Sequence, residues 1–481
     1  MSSARAQFMR ALLRGLDERQ RCAVAAPRGP VRVLAGAGSG KTRVLTRRIA
    51  HLVASEQVRP GEVLAVSFTV RAAGELRARL DALDELAGGE LGLAAVRAST
   101  FHAAAARQLG HFWPAESRPW QILDRKAPLI SRAAAAAGLS DRGFDCKEAQ
   151  GEIEWAKASL IGPEQYPQAA RARRRAVTSS LEAIADVYGR YEALKAAAAP
   201  RQLDFDDVLL AMIGVAKSSA AAANQLRSWL RCFLVDEFQD VTPLQHELLM
   251  TWLGARDNVT VVGDPNQTIY SFAGARGAFF AEFARRFPHA ALFRLDRDYR
   301  STAQVTDLAN RLLGAAGDLR GQVPDGPAPR FVGHADEARE ATATADEIVG
   351  LIRDGVPARE IAVLFRANTH AARFERALRA RGVPTGEGGV SLCSLHAAKG
   401  LEWEAVFLVG LVEGVLPLGW ASAAGADAVA EERRLLYVGI TRARTRLVLS
   451  WYCERDGRAA RPSRFLAPLR SNGAEKSLIK N

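Results

Sequence analysis

The stretch LAGAGSGKT, residues 34–42, constrains the fold more than any other, because a glycine-rich loop of this kind works only where a buried strand hands over to a helix. VRVLAG (31–36) supplies the apolar strand, and RVLTRRIAHLVA after the loop places its apolar residues at a helical period. Gly36, Gly38 and Gly40 leave room for backbone N–H groups to curl around phosphate oxygens, with Ala35, Ala37 and Ser39 completing the loop. The helix N-terminus adds its dipole, Lys41 reaches the β- and γ-phosphates, and Thr42 offers a hydroxyl to Mg²⁺. Ala35 stands where the GxxxxGK[ST] pattern has its first glycine, a departure that spares the other loop glycines.

Hydrolysis needs acids opposite that loop. FLVDEFQD (233–240) is an apolar strand delivering Asp236 and Glu237 to its C-terminal tip, Asp236 to hold Mg²⁺ and Glu237 to orient or deprotonate the attacking water. The plain alternative is that the two acids cap the next helix. Charge on the transferring phosphoryl also calls for cations from elsewhere, and Arg300 in LDRDYRST and Arg442 in LLYVGITRAR are candidates, with surface ion pairs as the default reading of either.

Short apolar runs punctuate the chain. VRVLAG, VLAVSF (63–68), CFLVDE (232–237) and VTVVGD (259–264) read as buried parallel strands, and EIAVLFRA (360–367), VSLCSLH (390–396), AVFLVGL (405–411) and TRLVLSWY (445–452) repeat the design. Two α/β domains in tandem follow. Between Phe101 and about Arg201 the strand signal vanishes, and SRAAAAAGL (131–139) and TSSLEAIADVYGRYEALKAAAA (178–199) carry a helical period, so a helical subdomain interrupts the first domain. RARRR (171–175) within it is either a phosphate contact or a solvated helix face.

Length fits this plan, since 481 residues make about three domains at roughly 150 residues each. The net charge of +12 suits a polyanionic partner, although the Arg- and Ala-rich composition fits a solvated surface equally well. Cys22, Cys146, Cys232, Cys393 and Cys453 form no CxxC pair, which points away from a zinc site or a disulfide framework. With neither a signal-peptide pattern nor a membrane-length apolar run, a cytoplasmic setting without membrane attachment is expected.

Taken in order, LDERQRCAV (16–24), AGAGSGKT, SFTVRAAGELRARL (67–80), STFHAAAARQL (99–109), DFDDVLL (204–210), VDEFQDVTPLQ (235–245), VVGDPNQTIYSFAGA (261–275), DYRST (298–302), SLHAAKGLEWEAVFLVGLVEGVLP (394–417) and EERRLLYVGITRAR (431–444) resemble the superfamily 1 DNA helicases of the UvrD/Rep/PcrA type. That resemblance spans nearly the whole chain. It implies two RecA-like P-loop NTPase domains with an inserted helical 1B subdomain: 1–107 and 201–290 as domain 1A, 108–200 as 1B, 291–470 as domain 2A, and 471–481 as a tail.

For the nucleotide, the resemblance implies that Gln20 reads adenine, Tyr299 stacks on it and Arg43 lines the pocket, with Gln267 sensing the γ-phosphate, Glu402 contacting the nucleotide, and Arg300 and Arg442 acting as paired γ-phosphate arginines. For DNA it implies a base-stacking track of Phe68, Tyr270 and Phe272, with Phe101 and His102 nearby; for Phe68 and Phe101 the core-aromatic alternative stays open. His396 reads as a nucleic-acid contact or a coupling hydrogen bond.

The departures are as informative. Many relatives carry arginine where Ala273 stands, and GDPNQ replaces a commoner acidic run. The larger departure is TGEGG, where longer relatives insert a mobile accessory domain, 2B, and this chain bridges the gap with residues 386–389. C-terminal modules such as an HRDC or nuclease domain are likewise not expected. The implied function is an ATP- and Mg²⁺-dependent 3′–5′ helicase or translocase acting on single-stranded and 3′-tailed duplex DNA, with repair or replication proteins as possible partners. The competing readings are a translocase that scarcely unwinds and a non-catalytic DNA-binding scaffold.

Overall fold

The computed structural model describes residues 3–113, 119–139 and 143–470. The tail expected at 471–481 lies outside the described residues. The chain separates into two compact units, one of residues 1–34 and 41–294, the other of Ala35–Gly40 and the chain from Leu295 onward.

The first unit is built on a six-stranded sheet in the order Arg97–Thr100, Val63–Ser67, Cys232–Val235, Val259–Gly263, Val31–Ala35, Ala291–Leu295. Its inner pairings are parallel, with Val63 opposite Cys232, Phe233 opposite Val259 and Val31 opposite Thr260. Every residue of Val63–Ser67, Cys232–Val235 and Val259–Gly263 is buried, as expected of strands covered by helices on both faces. The strands open toward loops at their C-terminal ends, where ligands of such sheets bind.

The helical insertion has its own core, in which Ile130, Trp155, Tyr166, Ile184 and Tyr191 pack together from the helices Lys126–Ala136, Cys146–Ala158, Tyr166–Ala172 and Leu181–Ala197. The reading of 101–201 as free of strands needs correction: Trp120–Ile122 pairs in parallel with Arg201–Leu203. Three residues are too few to show a period.

A largely buried ionic cluster joins this bundle to the helix Phe205–Ser218. Asp204 caps that helix and is fully buried; its Oδ2 accepts from Lys157 Nζ at 2.8 Å, Lys195 Nζ at 2.9 Å and the Tyr191 hydroxyl at 2.9 Å. Asp207 pairs with both lysines and Glu192 lies 3.0 and 2.8 Å from them. Burial alone would raise the Asp204 carboxyl, but Lys157 and Lys195 outweigh it and hold it below the usual range. Glu192, Asp204 and Asp207 come close enough to chelate a cation, yet two ammonium groups already sit among them.

The second unit carries another six-stranded sheet, ordered Arg330–Asp336, Ala443–Arg455, Trp403–Leu408, Ile361–Phe365, Ser391–Ser394, with Arg458–Ala459 added antiparallel to Ala443–Arg455. The other pairings are parallel. The eight apolar runs read from sequence are all strands here, shifted, trimmed or, for 445–452, extended at their ends. Residues 386–389 form a closed turn: Gly386 N–H donates to Val390 O at 3.1 Å and Gly389 N–H to Gly386 O at 3.0 Å. A Cβ on Gly389 would stand 2.4 Å from Pro384 O, so the turn is tightly packed.

Glu340, 1 % exposed on the helix Glu337–Arg353, accepts from Gly410 N–H at 2.9 Å and from the Ser450 hydroxyl at 2.5 Å. Burial pushes its carboxyl up to about 7 against these two bonds. A folded-state value above the unfolded one makes the protonated form the stabilising form, so stability present below about pH 4.3 is lost as pH rises through 7. Glu340→Gln is therefore expected to raise the thermal midpoint at pH 8 and to change it little at pH 4.5, measured by circular dichroism.

Candidate nucleotide and nucleic-acid site

In the first unit, the tips of two neighbouring strands gather acids around the lysine that opens the helix Lys41–Ala54. Asp236 follows Cys232–Val235; its N–H donates to Val66 O at 2.9 Å and its Oδ1 accepts from Glu237 N–H at 3.0 Å. Glu237 has left-handed torsions, φ 51° and ψ 43°, which a non-glycine residue adopts only when its surroundings impose them. Gln239, fully buried, holds the Glu237 carboxylate: its Nε2 donates to Glu237 Oε2 and its Oε1 accepts from Asp264 N–H at 3.0 Å. A Cβ at Gly263 would come within 2.1 Å of that Gln239 oxygen, which explains the glycine.

Helix capping by the acids does not fit this geometry, because the helix Pro243–Leu253 is capped reciprocally by Thr242 and Gln245. Asp264 ends the next strand and is buried; burial raises its carboxyl, opposed by Lys41 and by Gln267 Nε2 at 2.8 Å. The same carboxyl feels Glu237, so Lys41, Glu237, Asp264 and Gln267 share one locality. Oxygen donors from Asp236 and Thr42 have the hard-ligand chemistry that Mg²⁺ requires.

The adenine candidate Gln20 is buried in the helix Glu18–Ala25, with its Oε1 accepting from Asp17 N–H at 3.1 Å in a capping box. The other end of that helix is held by Arg48, fully buried, which donates to Ala23 O at 3.1 Å, Ala26 O at 2.7 Å and Pro27 O at 3.2 Å. Arg43 lies near Gly15.

The loop Ala35–Gly40 groups with the second unit. Gly38 and Gly40 take φ of 67° and 80°, and Ser39 N–H and Oγ both donate to Gly36 O. Tyr299 N–H donates to Gly38 O at 3.0 Å, and a Cβ on Gly38 would lie 1.8 Å from Asp298 Oδ1 and 3.0 Å from Arg300 Cβ. No side chain fits there. Tyr299 is 44 % exposed.

Arg300 donates from Nε to Glu402 Oε2 at 2.5 Å and from Nη1 to Thr441 O at 3.2 Å. Arg444 approaches the same Glu402 at 3.8 Å while pairing with Glu360 at 2.6 Å. Arg442, 2 % exposed, donates to Val438 O at 2.9 Å, Leu401 O at 3.0 Å and Thr441 Oγ1 at 3.2 Å. His396 is half-buried.

The nucleic-acid candidates of the first unit divide. Phe68, 40 % exposed, stacks on Tyr270 with centroids 5.0 Å apart, and Phe272, 50 % exposed, lies 6.2 Å from Tyr270, which makes a contiguous aromatic strip. Burial, with Asp240 and Glu237 adding, pushes the Tyr270 hydroxyl up to about 12, so the strip adjoins Glu237. Phe101 is corrected to a core aromatic: 4 % exposed, it stacks on Trp252 with centroids 5.9 Å apart. His102 is half-buried, 4.0 Å from Asp206 and edge-on to Phe205, which is 50 % exposed.

Sequence reasoning missed Gln239, Arg48, Asp298, Arg444 and Phe205. Phe205, Gln239, Asp298 and Arg444 lie within the stretches DFDDVLL, VDEFQDVTPLQ, DYRST and EERRLLYVGITRAR, whereas Arg48 lies in none of these four.

Comparison with known proteins agrees over nearly the whole chain. Residues 16–288 match the UvrD/REP helicase N-terminal domain, and 293–387 and 386–454 match the UvrD-like helicase C-terminal domain in two stretches that meet at Gly386 and Glu387. The ATP-dependent DNA helicase UvrD2 of Mycobacterium tuberculosis is 45 % identical, covering 95 % of this chain and 81 % of that protein. That comparison runs over 570 positions, more than this chain's 481 residues, so the relative carries stretches absent here. The ATP-dependent DNA helicase UvrD1 of Mycobacterium leprae is 32 % identical over 78 % of this chain and 50 % of its own length. PcrA of Leuconostoc citreum is 34 % identical over 63 % and 39 % respectively.

Proposed function

This chain belongs to the UvrD/REP helicase family, and on that premise we propose that it is an ATP-dependent DNA helicase moving 3′ to 5′ along single-stranded DNA. The observation that carries this reading is the shared locality of Lys41, Glu237, Asp264 and Gln267 beside an exposed aromatic strip whose Tyr270 feels Glu237. Nucleotide chemistry and base stacking then occupy one end of one sheet.

The loop glycines cradle the phosphates, Lys41 pairs with their charge, and Gln20 with Tyr299 holds adenine. Thr42 and Asp236 would hold Mg²⁺, which supplies Lewis-acid polarisation of the phosphoryl oxygens. Glu237, held by Gln239, takes a proton from the attacking water while Gln267 orients it. Arg300 neutralises charge on the transferring group after leaving Glu402, and Arg442 adds a second cation. Phe68, Tyr270 and Phe272 stack on bases without reading sequence, as a motor that passes over any sequence requires. Among the described residues no helix is long and apolar enough to cross a membrane, and we place the protein in the cytoplasm with repair or replication proteins as partners.

A second reading, translocation with little unwinding, is favoured by one observation: the C-terminal family match breaks at Gly386 and Glu387, the point at which the family resemblance implies an inserted 2B domain. ATPase rate is expected to rise with single-stranded DNA and that stimulation to weaken as salt rises; no stimulation at any salt would sink the motor. A fluorescent duplex with a 3′ tail separates the two readings, since release of its strand with ATP supports unwinding and ATPase stimulation without release supports translocation. A duplex with a 5′ tail tests polarity.

A further inference from the structure

We propose that Arg175, contributed by the helical insertion, is a positioning residue of the single-strand track that fixes the Phe272 ring by clamping its backbone; the proposal rests on the DNA-motor reading above. Between Tyr270 and Arg276 the loop reads SFAGA and has no long polar side chain with which to anchor itself. The helical insertion holds it at Gly274 and at Phe272. Gly274, at φ 97°, lies so close to the end of the helix Cys146–Ala158 that a Cβ would stand 3.1 Å from Ala158 Cβ and 3.4 Å from Ser159 Oγ. Arg175 Nη1 donates to Phe272 O at 3.0 Å.

The guanidinium is itself immobilised. Its Nε donates to both Glu152 oxygens, at 3.1 and 3.2 Å, and its plane lies 4.6 Å over Trp155. Glu152, 5 % exposed, also accepts from the Tyr166 hydroxyl at 2.8 Å. Arg174 takes the left-handed conformation at φ 51°, and Arg175 N–H donates back to Ala170 O at 3.0 Å, which ends the helix Tyr166–Ala172 and aims Arg175 at the loop. The basic run therefore divides: Arg171 is solvated and paired with Glu182, whereas Arg175 is neither a solvated charge nor a free phosphate ligand.

Such a clamp acts through geometry, because a ring half exposed to solvent stacks on a base only if its backbone is fixed. The test measures binding of fluorescein-labelled oligo(dT) by anisotropy at several salt concentrations. Arg175→Gln, and the charge-balanced Glu152→Gln/Arg175→Gln pair that leaves no buried lone carboxylate, are expected to weaken binding about tenfold, on the order of one stacked base. The slope of log affinity against log salt is expected to stay at the wild-type value, because no phosphate contact is lost. Arg175→Lys should not rescue, since an ammonium cannot hold Glu152 and the carbonyl together. Added to Phe272→Ala, the Arg175→Gln change should cost nothing further.

Wild-type affinity in both Gln variants, a slope reduced by about 1, rescue by lysine, or additive losses with Phe272→Ala would each overturn the proposal. A wild-type protein that binds oligo(dT) but shows no ATPase stimulation leaves this test intact while removing the motor, and one that binds no oligo(dT) removes both.

Discussion

Glu237→Gln is expected to bind a fluorescent ATP analogue as the parent does and to release phosphate at least about 100-fold more slowly, the order of effect of losing a positioned general base. The left-handed backbone at this residue and the buried Gln239 amide fix where its carboxylate stands. A glutamine keeps the shape and a carbonyl acceptor for Gln239 but cannot take the water's proton. Asp236, whose oxygen is held by the Glu237 N–H, is untouched by the change, so any metal-dependent part of nucleotide binding survives. Turnover near the parent value in this variant would remove Glu237 from the role of base.

Asp204→Ala is expected to lower the thermal midpoint by about 10 °C, from a loss of about 3–5 kcal/mol, measured by calorimetry. The carboxylate serves three purposes at once: it caps the helix Phe205–Ser218, accepts the Tyr191 hydroxyl and neutralises Lys157 and Lys195, each 2 % exposed in its side chain. Removing it leaves two buried ammonium groups with fewer carboxylates. Because partners depress its folded-state pKa, the stability it contributes is present above about pH 3.9 and is lost as pH falls further. Acid should therefore close the gap between variant and parent; a gap constant down to pH 2 would contradict the assignment.

Legibility in the sequence followed chemistry that depends on order along the chain. Uninterrupted apolar runs such as VLAVS and IAVLF are strands because a doubly covered sheet tolerates nothing else, and the acids at 236 and 237 announce themselves by ending one. Arg297–Thr302 escaped notice because its residues RDYRST have no apolar pattern; it is a strand through pairing with Arg320–Val323. Phe101 and Phe205 show the limit most plainly. Each is the first residue of a helix, directly after a side-chain cap from Thr100 or Asp204, yet one lies against Trp252 and the other faces solvent. Both positions share a cap and a helix start, and the tertiary neighbours separate them. Gln239 and Arg48 were hidden for the same reason, since polar residues read as surface until long-range partners bury them.

The turn at 386–389 is bounded by Thr385 and Val390, which bridge each other directly. A chain that leaves and returns through adjacent residues can lengthen there without shifting the strand Ser391–Ser394 or the helix Ala371–Arg379 on either side. Loop closure rises by only about 0.6 kcal/mol for each doubling of length. The turn is thus a natural grafting port, through which accessory modules can be gained or shed in evolution, or installed by design, while the sheet that carries Glu402 and Arg442 stays as it is.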